Sequence, residues 1–144
     1  MDFVLLAHVG ATLFMTGVIW FVQLVHYPLF AGVGAAGFSA YAAEHGRRTT
    51  WVVMPAMTVE LGTGVALALW RPDGIGAAPV WFGLGMLGAI WLSTMLVQVP
   101  RHRVLGGGFD DAAWRWLVRT NWLRTAAWTA RAILVLAMAA GATR

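Results

Sequence analysis

Four apolar stretches, each about twenty residues or longer, divide this chain and leave little choice of fold. They run from about Phe3 to Phe30, Thr50 to Trp70, Pro79 to Val99 and Asn121 to Gly141. A helix crosses the roughly 30 Å hydrocarbon layer in about 20 residues, at 1.5 Å each. In lipid a segment must satisfy its own backbone hydrogen bonds, so helices are the default. Of the 144 residues, 60% are hydrophobic and only 11% are charged, against about 25% charged in soluble domains. That excludes a soluble globule and, more firmly, a disordered chain. The nine Trp and 17 Gly point the same way, since both types are favoured in membranes. The expectation is an all-α, integral membrane, antiparallel four-helix bundle, one domain over residues 1–144. The first stretch is not a cleavable signal peptide, because it lacks a basic start, is too long and carries Trp20, Gln23 and His26.

The arginines orient the bundle. Arg47 and Arg48 lie between spans one and two, and Arg101, Arg103, Arg115 and Arg119 between spans three and four. The other side has Arg71 and Arg144. Cytoplasmic loops are enriched in such residues, so the first and third loops are expected in the cytoplasm and both termini outside, in a plasma or bacterial-type inner membrane. All ten basic residues are Arg and the net charge is +4. They alternate with apolar runs rather than forming a stripe, so no nucleic-acid partner is expected. The absence of Cys excludes disulfides and thiolate ligands.

Residues 36–46 place Phe38, Tyr41 and His45 at helical spacing, as in a short helix lying in the interface. Gly106-Gly107-Gly108 breaks the third loop, and Asp110 is placed to cap a further short helix bearing Trp114, Trp116 and Leu117. The triplet lacks the Lys and the preceding strand of a phosphate loop. Arg71-Pro72-Asp73-Gly74 reads as a turn. Gly62 and Gly64, and Gly83, Gly85 and Gly88, read as points of close helix approach. No internal repeat or strand alternation is visible.

Polar residues inside the spans carry the functional information, because they are expensive in hydrocarbon and normally meet a partner or a cavity. Glu60 lies ten residues into span two and Arg131 ten residues into span four, each about 15 Å deep. They are expected to meet near the midplane, either as a pair that fixes packing or at the floor of a polar cavity. Asn121, Arg124, Trp128 and Arg131 share one face of span four. Gln23 and His26 close span one, and Gln98 and His102 close span three beside Pro100. The topology gathers Gln23, His26, Gln98, His102, Asn121 and Arg124 at one mouth.

His8, Thr12, Met15, Ile19, Val22 and His26 fall on one helix face. His8 and His26 are 18 residues apart, about 27 Å along the helix, so they cannot share a metal ion. The candidate metal ligands are His26 and His102 with Glu44, and a haem would take His26 with His102 or His45. No closely spaced ligand pair demands either.

The run Val97-Gln98-Val99-Pro100-Arg101-His102, followed by Asn121-Trp122-Leu123-Arg124-Thr125, Trp128 and Arg131, resembles the small four-span membrane proteins that include the anthrone oxygenases. The likeness is best in the C-terminal half, and His102 stands where that family usually has Asn. Trp20-Phe21-Val22-Gln23-Leu24-Val25-His26-Tyr27-Pro28 looks like an uncharacterised bacterial branch. The plan also resembles, through His8 and Trp20-Phe21, the HemJ-type protoporphyrinogen oxidases, which are four-span haem proteins.

The resemblance implies a membrane-embedded oxidoreductase, an oxygenase of polycyclic phenols or quinol-like molecules that enter from lipid and need no protein-bound metal. Glu60 or His26 would take a proton, and Arg131 or Arg124 would hold the resulting anion. Gln23, Gln98, His102, Asn121, Trp128 and Trp20 are the substrate-binding candidates. A haem- or quinone-binding redox protein is the second reading, with His8 and His45 added to the possible haem or metal ligands. A small homo-oligomeric transporter or channel is the third, and a purely packing subunit is the fourth.

Overall fold

The computed structural model describes residues 3–142, and Arg144 lies outside the described residues. The chain is an all-α four-helix bundle. Its helices are α1 (Phe3–Gly32), α2 (Ala35–Leu69), α3 (Ala77–Gly106) and α4 (Asp111–Ala142), each long and apolar enough to cross a bilayer. The connections are Val33-Gly34, the segment 70–76 and the segment 107–110. Links that short force antiparallel neighbours. α1 packs beside α2 and α4, and α3 packs beside the same two, so α1 and α3 face each other across the diagonal.

Large apolar side chains cover the outer surface, and polar ones are buried among the apolar clusters of the interior. Phe14, Leu96, Leu123 and Ile133 are exposed, while Thr12, Glu60, Asn121, Thr125 and Arg131 are buried. Such a surface fits a lipid bilayer. Helices in lipid gain little from hiding apolar area, so packing and interhelical hydrogen bonds hold them together.

The loops differ from the expected pattern. Neither expected interfacial helix is separate. Residues 35–49 continue straight into α2, which has 35 residues and is therefore about 52 Å long. Residues 111–120 likewise continue into α4. Both helices outrun the hydrocarbon layer, so these turns project at the end opposite the termini, here called the far end. The expected cap is present, with Ala113 N–H donating to Asp110 Oδ1 at 2.6 Å.

α1 and α3 each contain a π-helical turn, Val22–His26 and Thr94–Gln98. Tyr27 N–H donates to Val22 O, and Val99 N–H to Thr94 O. Each turn ends two residues before a proline, Pro28 or Pro100. Proline offers no N–H and crowds the carbonyl four residues back, and a wider turn relieves the crowding while keeping the neighbouring carbonyls bonded. The two sites share Leu-Val-x-x-Pro (24–28 and 96–100), a short correspondence that a search for repeats misses.

The π turn has a consequence for the face that α1 buries. Leu5, His8, Thr12, Met15 and Ile19 are buried at regular helical spacing, and the series then continues through Gln23, Tyr27 and Phe30. Regular spacing assigns Val22 and His26 instead. One extra residue in the turn moves the buried face by one position, so Gln23 and Tyr27 enter the core and His26 stands at its flank.

Three apolar clusters divide the interior along its axis. Leu5, Leu67, Ile75, Val80 and Met138 fill the terminal end. Met15, Ile19, Met57, Ile90 and Trp128 fill the middle. Tyr27, Phe30, Phe38, Leu105 and Leu117 close the far end. Of the glycines expected to allow close packing, a Cβ at Gly64 would meet His8 Cε1 at 3.2 Å and one at Gly83 would meet Leu134 Cδ2 at 3.1 Å. Gly62, Gly85 and Gly88 face open space.

Gly74, in the expected turn, has φ of +82° and lies against the end of α4, where a Cβ would come within 3.1 Å of Gly141 O. Gly74→Ala is expected to cost about 1–2 kcal/mol through left-handed strain alone. Gly76→Ala, at φ of −67°, should be close to neutral. Thermal loss of the helical circular dichroism signal in detergent compares them, and equal stabilities would refute the strain.

Candidate functional site

Two polar centres occupy different depths. The first is the Glu60–Arg131 pair. Both side chains are fully buried, and Arg131 donates from Nε (3.1 Å) and Nη2 (3.0 Å) to Glu60 Oε1. Thr12 Oγ1 also donates to Oε1 at 2.8 Å, and Trp128 Nε1 donates to Oε2 at 3.1 Å. Arg131 Nη1 donates to Gly83 O, and Nη2 lies 3.3 Å from His8 Nε2. His8 Nδ1 is 2.9 Å from Thr63 Oγ1. The network therefore joins α1, α2, α3 and α4. Glu60 and Arg131 meet as their depths predict, but neither lines either of the two large cavities. His8 has both ring nitrogens engaged within this network.

The second centre lies toward the far end. An inner cavity of about 330 Å³ takes wall residues from all four helices, a volume within the range of small-molecule sites. Its polar lining is Tyr27, His45, Thr49, Thr50, Thr94, Gln98, His102 and Arg124, and Met15, Ile19 and Met57 belong to its apolar wall. His102 Nε2 lies 3.0 Å from Tyr27 Oη, and the His45 and His102 rings have centroids 5.4 Å apart. His26 Nε2 lies 2.7 Å from His45 Nδ1, which is also 3.1 Å from Thr49 Oγ1.

Two wall residues are incompletely bonded. Gln98 donates through Nε2 to Thr120 Oγ1 at 3.1 Å, but its Oε1 is buried without a partner. Arg124 donates through Nη1 to Asn121 Oδ1 at 2.9 Å and packs over the Trp128 ring at 5.1 Å, but its Nε is buried without a partner. Leaving a buried polar group unpaired costs about 1–3 kcal/mol, more when it is charged. One buried acceptor and one buried donor, each in a residue of the cavity wall, are thus left without partners.

The π turns set this arrangement. They turn Tyr27 and Gln98 inward on α1 and α3, into the wall of the cavity that Arg124 on α4 also lines. Of the residues expected at the mouth, Gln98, His102 and Arg124 line the cavity. Gln23 and Asn121 lie beside it and bond to each other, Asn121 Nδ2 donating to Gln23 Oε1 at 2.8 Å. Trp20 sits on the outer surface, 38% exposed, and donates from Nε1 to Thr129 Oγ1 at 3.0 Å. Trp128 belongs to the Glu60 network. Tyr27 and Thr49 are not among the expected residues, and the Tyr-Pro step directly after the span-closing His26 is the signal that points to Tyr27.

The grouping of His26 and His102 with Glu44 does not form, because the Glu44 carboxylate turns to Arg47 (2.7 Å) and Arg48 (2.5 Å). Among the described residues no three His, Asp or Glu side chains converge as metal ligands.

A second, larger space of about 880 Å³ is an apolar groove between α1 and α2. It is lined by Leu13, Phe14, Gly17, Phe21 and Val52, with His26, Tyr41, Glu44 and Arg48 also in its wall. Compared with protein-family models, with curated proteins and with solved structures, the chain matches none.

Proposed function

We propose that this protein is a membrane-embedded oxidoreductase whose inner cavity takes a lipophilic molecule with an ionisable oxygen: a polycyclic phenol, a quinol or an enolisable ketone. One observation carries the reading. Gln98 Oε1 and Arg124 Nε, in residues only 2% and 7% exposed, stand without partners in the wall of a cavity that also holds two histidines. Arg124 holds the oxyanion, and Gln98 accepts from a neighbouring hydroxyl. A guanidinium in a low-dielectric site stabilises such an anion far more than it does in water.

His102 removes the proton. With Nε2 donating to Tyr27 Oη, its Nδ1 is the basic nitrogen. The resemblance to the anthrone oxygenases supplies the oxidant, dioxygen. In an enolisable ketone of the anthrone type the ring methylene that lost the proton, conjugated through the ring to the oxyanion, becomes a carbonyl: one atom of dioxygen becomes the carbonyl oxygen, and the other leaves as water with the two methylene hydrogens. Glu60 and Arg131, outside the cavity, hold the helices in register in this reading, and His26 positions His45. The arginine-rich far end lies in the cytoplasm by the charge rule, so substrate reaches the cavity from the inner leaflet.

2-Naphthol tests the anion site, because its ionised form absorbs at longer wavelength. Bound to wild-type protein in nanodiscs, it should ionise about 1–3 pH units lower than in protein-free nanodiscs. Arg124→Met should abolish the difference. Ionisation that is unchanged by the protein, or that persists in the variant, would overturn the reading.

A further inference from the structure

The proton-transfer chemistry uses only the inner cavity and leaves the larger groove unexplained. On α1 the groove extends from Leu13 to His26, a span of 13 residues and about 20 Å. On α2 it extends from Tyr41 to Val53. It therefore runs along the bundle, parallel to lipid chains. The two spaces share Val18, Val22, His45, Thr49 and Val53 in their walls. One layer of side chains separates them, and four of those five are small β-branched residues. At Gly17 the groove floor carries no side chain, and a Cβ there would meet nothing within 4 Å.

From this shared wall of mostly small side chains we infer that the substrate is a ring-headed amphiphile with a long apolar tail. The head occupies the inner cavity against Arg124 and Gln98, and the tail passes between Val18 and Val22 on one side and Thr49 and Val53 on the other to lie in the groove. This rests on the reading of the inner cavity given above and names the substrate class within it. In the groove the tail gains the close van der Waals packing that also drives association between helices in lipid, which adds affinity beyond partition and fixes its orientation. The groove fixes the tail along the bundle axis and presents the ring at the depth of Arg124. A tail-less ring can enter the same cavity but has no such guide.

The test compares 2-naphthol with a naphthol bearing a ten-carbon alkyl chain, in nanodiscs, with affinities corrected for partition into lipid. The tailed probe should bind wild-type protein at least about tenfold more tightly than the tail-less one, a difference of about 1.4 kcal/mol. Gly17→Phe places a ring in the groove, at a position where a Cβ meets nothing within 4 Å, and should remove that advantage while leaving 2-naphthol unchanged. Gly10→Phe is the control. It lies on the same helix, outside the groove and also in open space, and should behave as wild type.

A diazirine at the tail end should label residues 13–17 in preference to the outer face of α4. Equal affinities for the two probes, equal loss of both in Gly17→Phe, or even labelling of all outer faces would overturn the inference. Failure of 2-naphthol to ionise in wild-type protein would instead overturn the reading of the cavity itself.

Discussion

Glu60→Leu is expected to be among the most damaging single substitutions in the bundle, costing about 3–5 kcal/mol, because it leaves a buried guanidinium without its counter-charge. Four donor contacts converge on the Glu60 carboxylate, from Thr12, Trp128 and two nitrogens of Arg131. Leucine removes every acceptor. Arg131 keeps Gly83 O and His8 Nε2, which are neutral. At 1% exposure and mid-span depth, it cannot reach the headgroups.

The double variant Glu60→Leu/Arg131→Met should recover most of the loss, since replacing both members of a buried pair with apolar residues is often neutral. Glu60→Gln should fall between, because one amide oxygen still accepts. Unfolding by denaturing detergent in mixed micelles, followed by helical circular dichroism, ranks the variants. A single variant as stable as the double one would show that Arg131 finds other compensation, and the pair would lose its structural role. In either state 2-naphthol should still ionise at Arg124, because Glu60 lies outside the cavity wall.

The second large effect is kinetic. Under nitrogen no oxidation follows, and proton removal from an anthrone is visible alone as loss of deuterium from its labelled ring methylene. His102→Phe should slow protein-dependent exchange by about 10²–10⁴-fold, the usual contribution of a positioned general base. Phenylalanine keeps the ring volume beside Tyr27 and Phe30. Tyr27→Phe should slow exchange less, because it removes only the partner that orients His102. Ionisation of bound 2-naphthol should survive in both, since Arg124 remains. Exchange at the wild-type rate in His102→Phe would remove this residue from the chemistry and pass the role to His45.

Legibility differed between the two polar centres. Glu60 and Arg131 sit in unbroken helix at matched depth from the same side, so counting residues at 1.5 Å sufficed to pair them. Their companions His8, Thr12 and Gly83 O come from other helices, and the sequence does not mark them as a set. The far-end cavity was only half readable. Gln98, His102 and Arg124 follow from span ends and a shared topology. Tyr27 displaces His26 from the core because the turn before Pro28 holds one residue more than an α-helix, and each added residue rotates everything beyond it by about 100°.

Hydropathy, charge count and span length are sums over neighbouring residues, so the sequence by itself determined the class of the molecule: four apolar helices, short links, arginines gathered at one end. Which atoms are left without partners is decided by contacts between segments far apart in the chain. Gln98 Oε1 lacks a donor and Arg124 Nε lacks an acceptor only because α1, α2 and α3 close around them at the level of the two π turns. A side chain's bonding depends on where distant helices bring their own groups, and only the packed bundle fixes that.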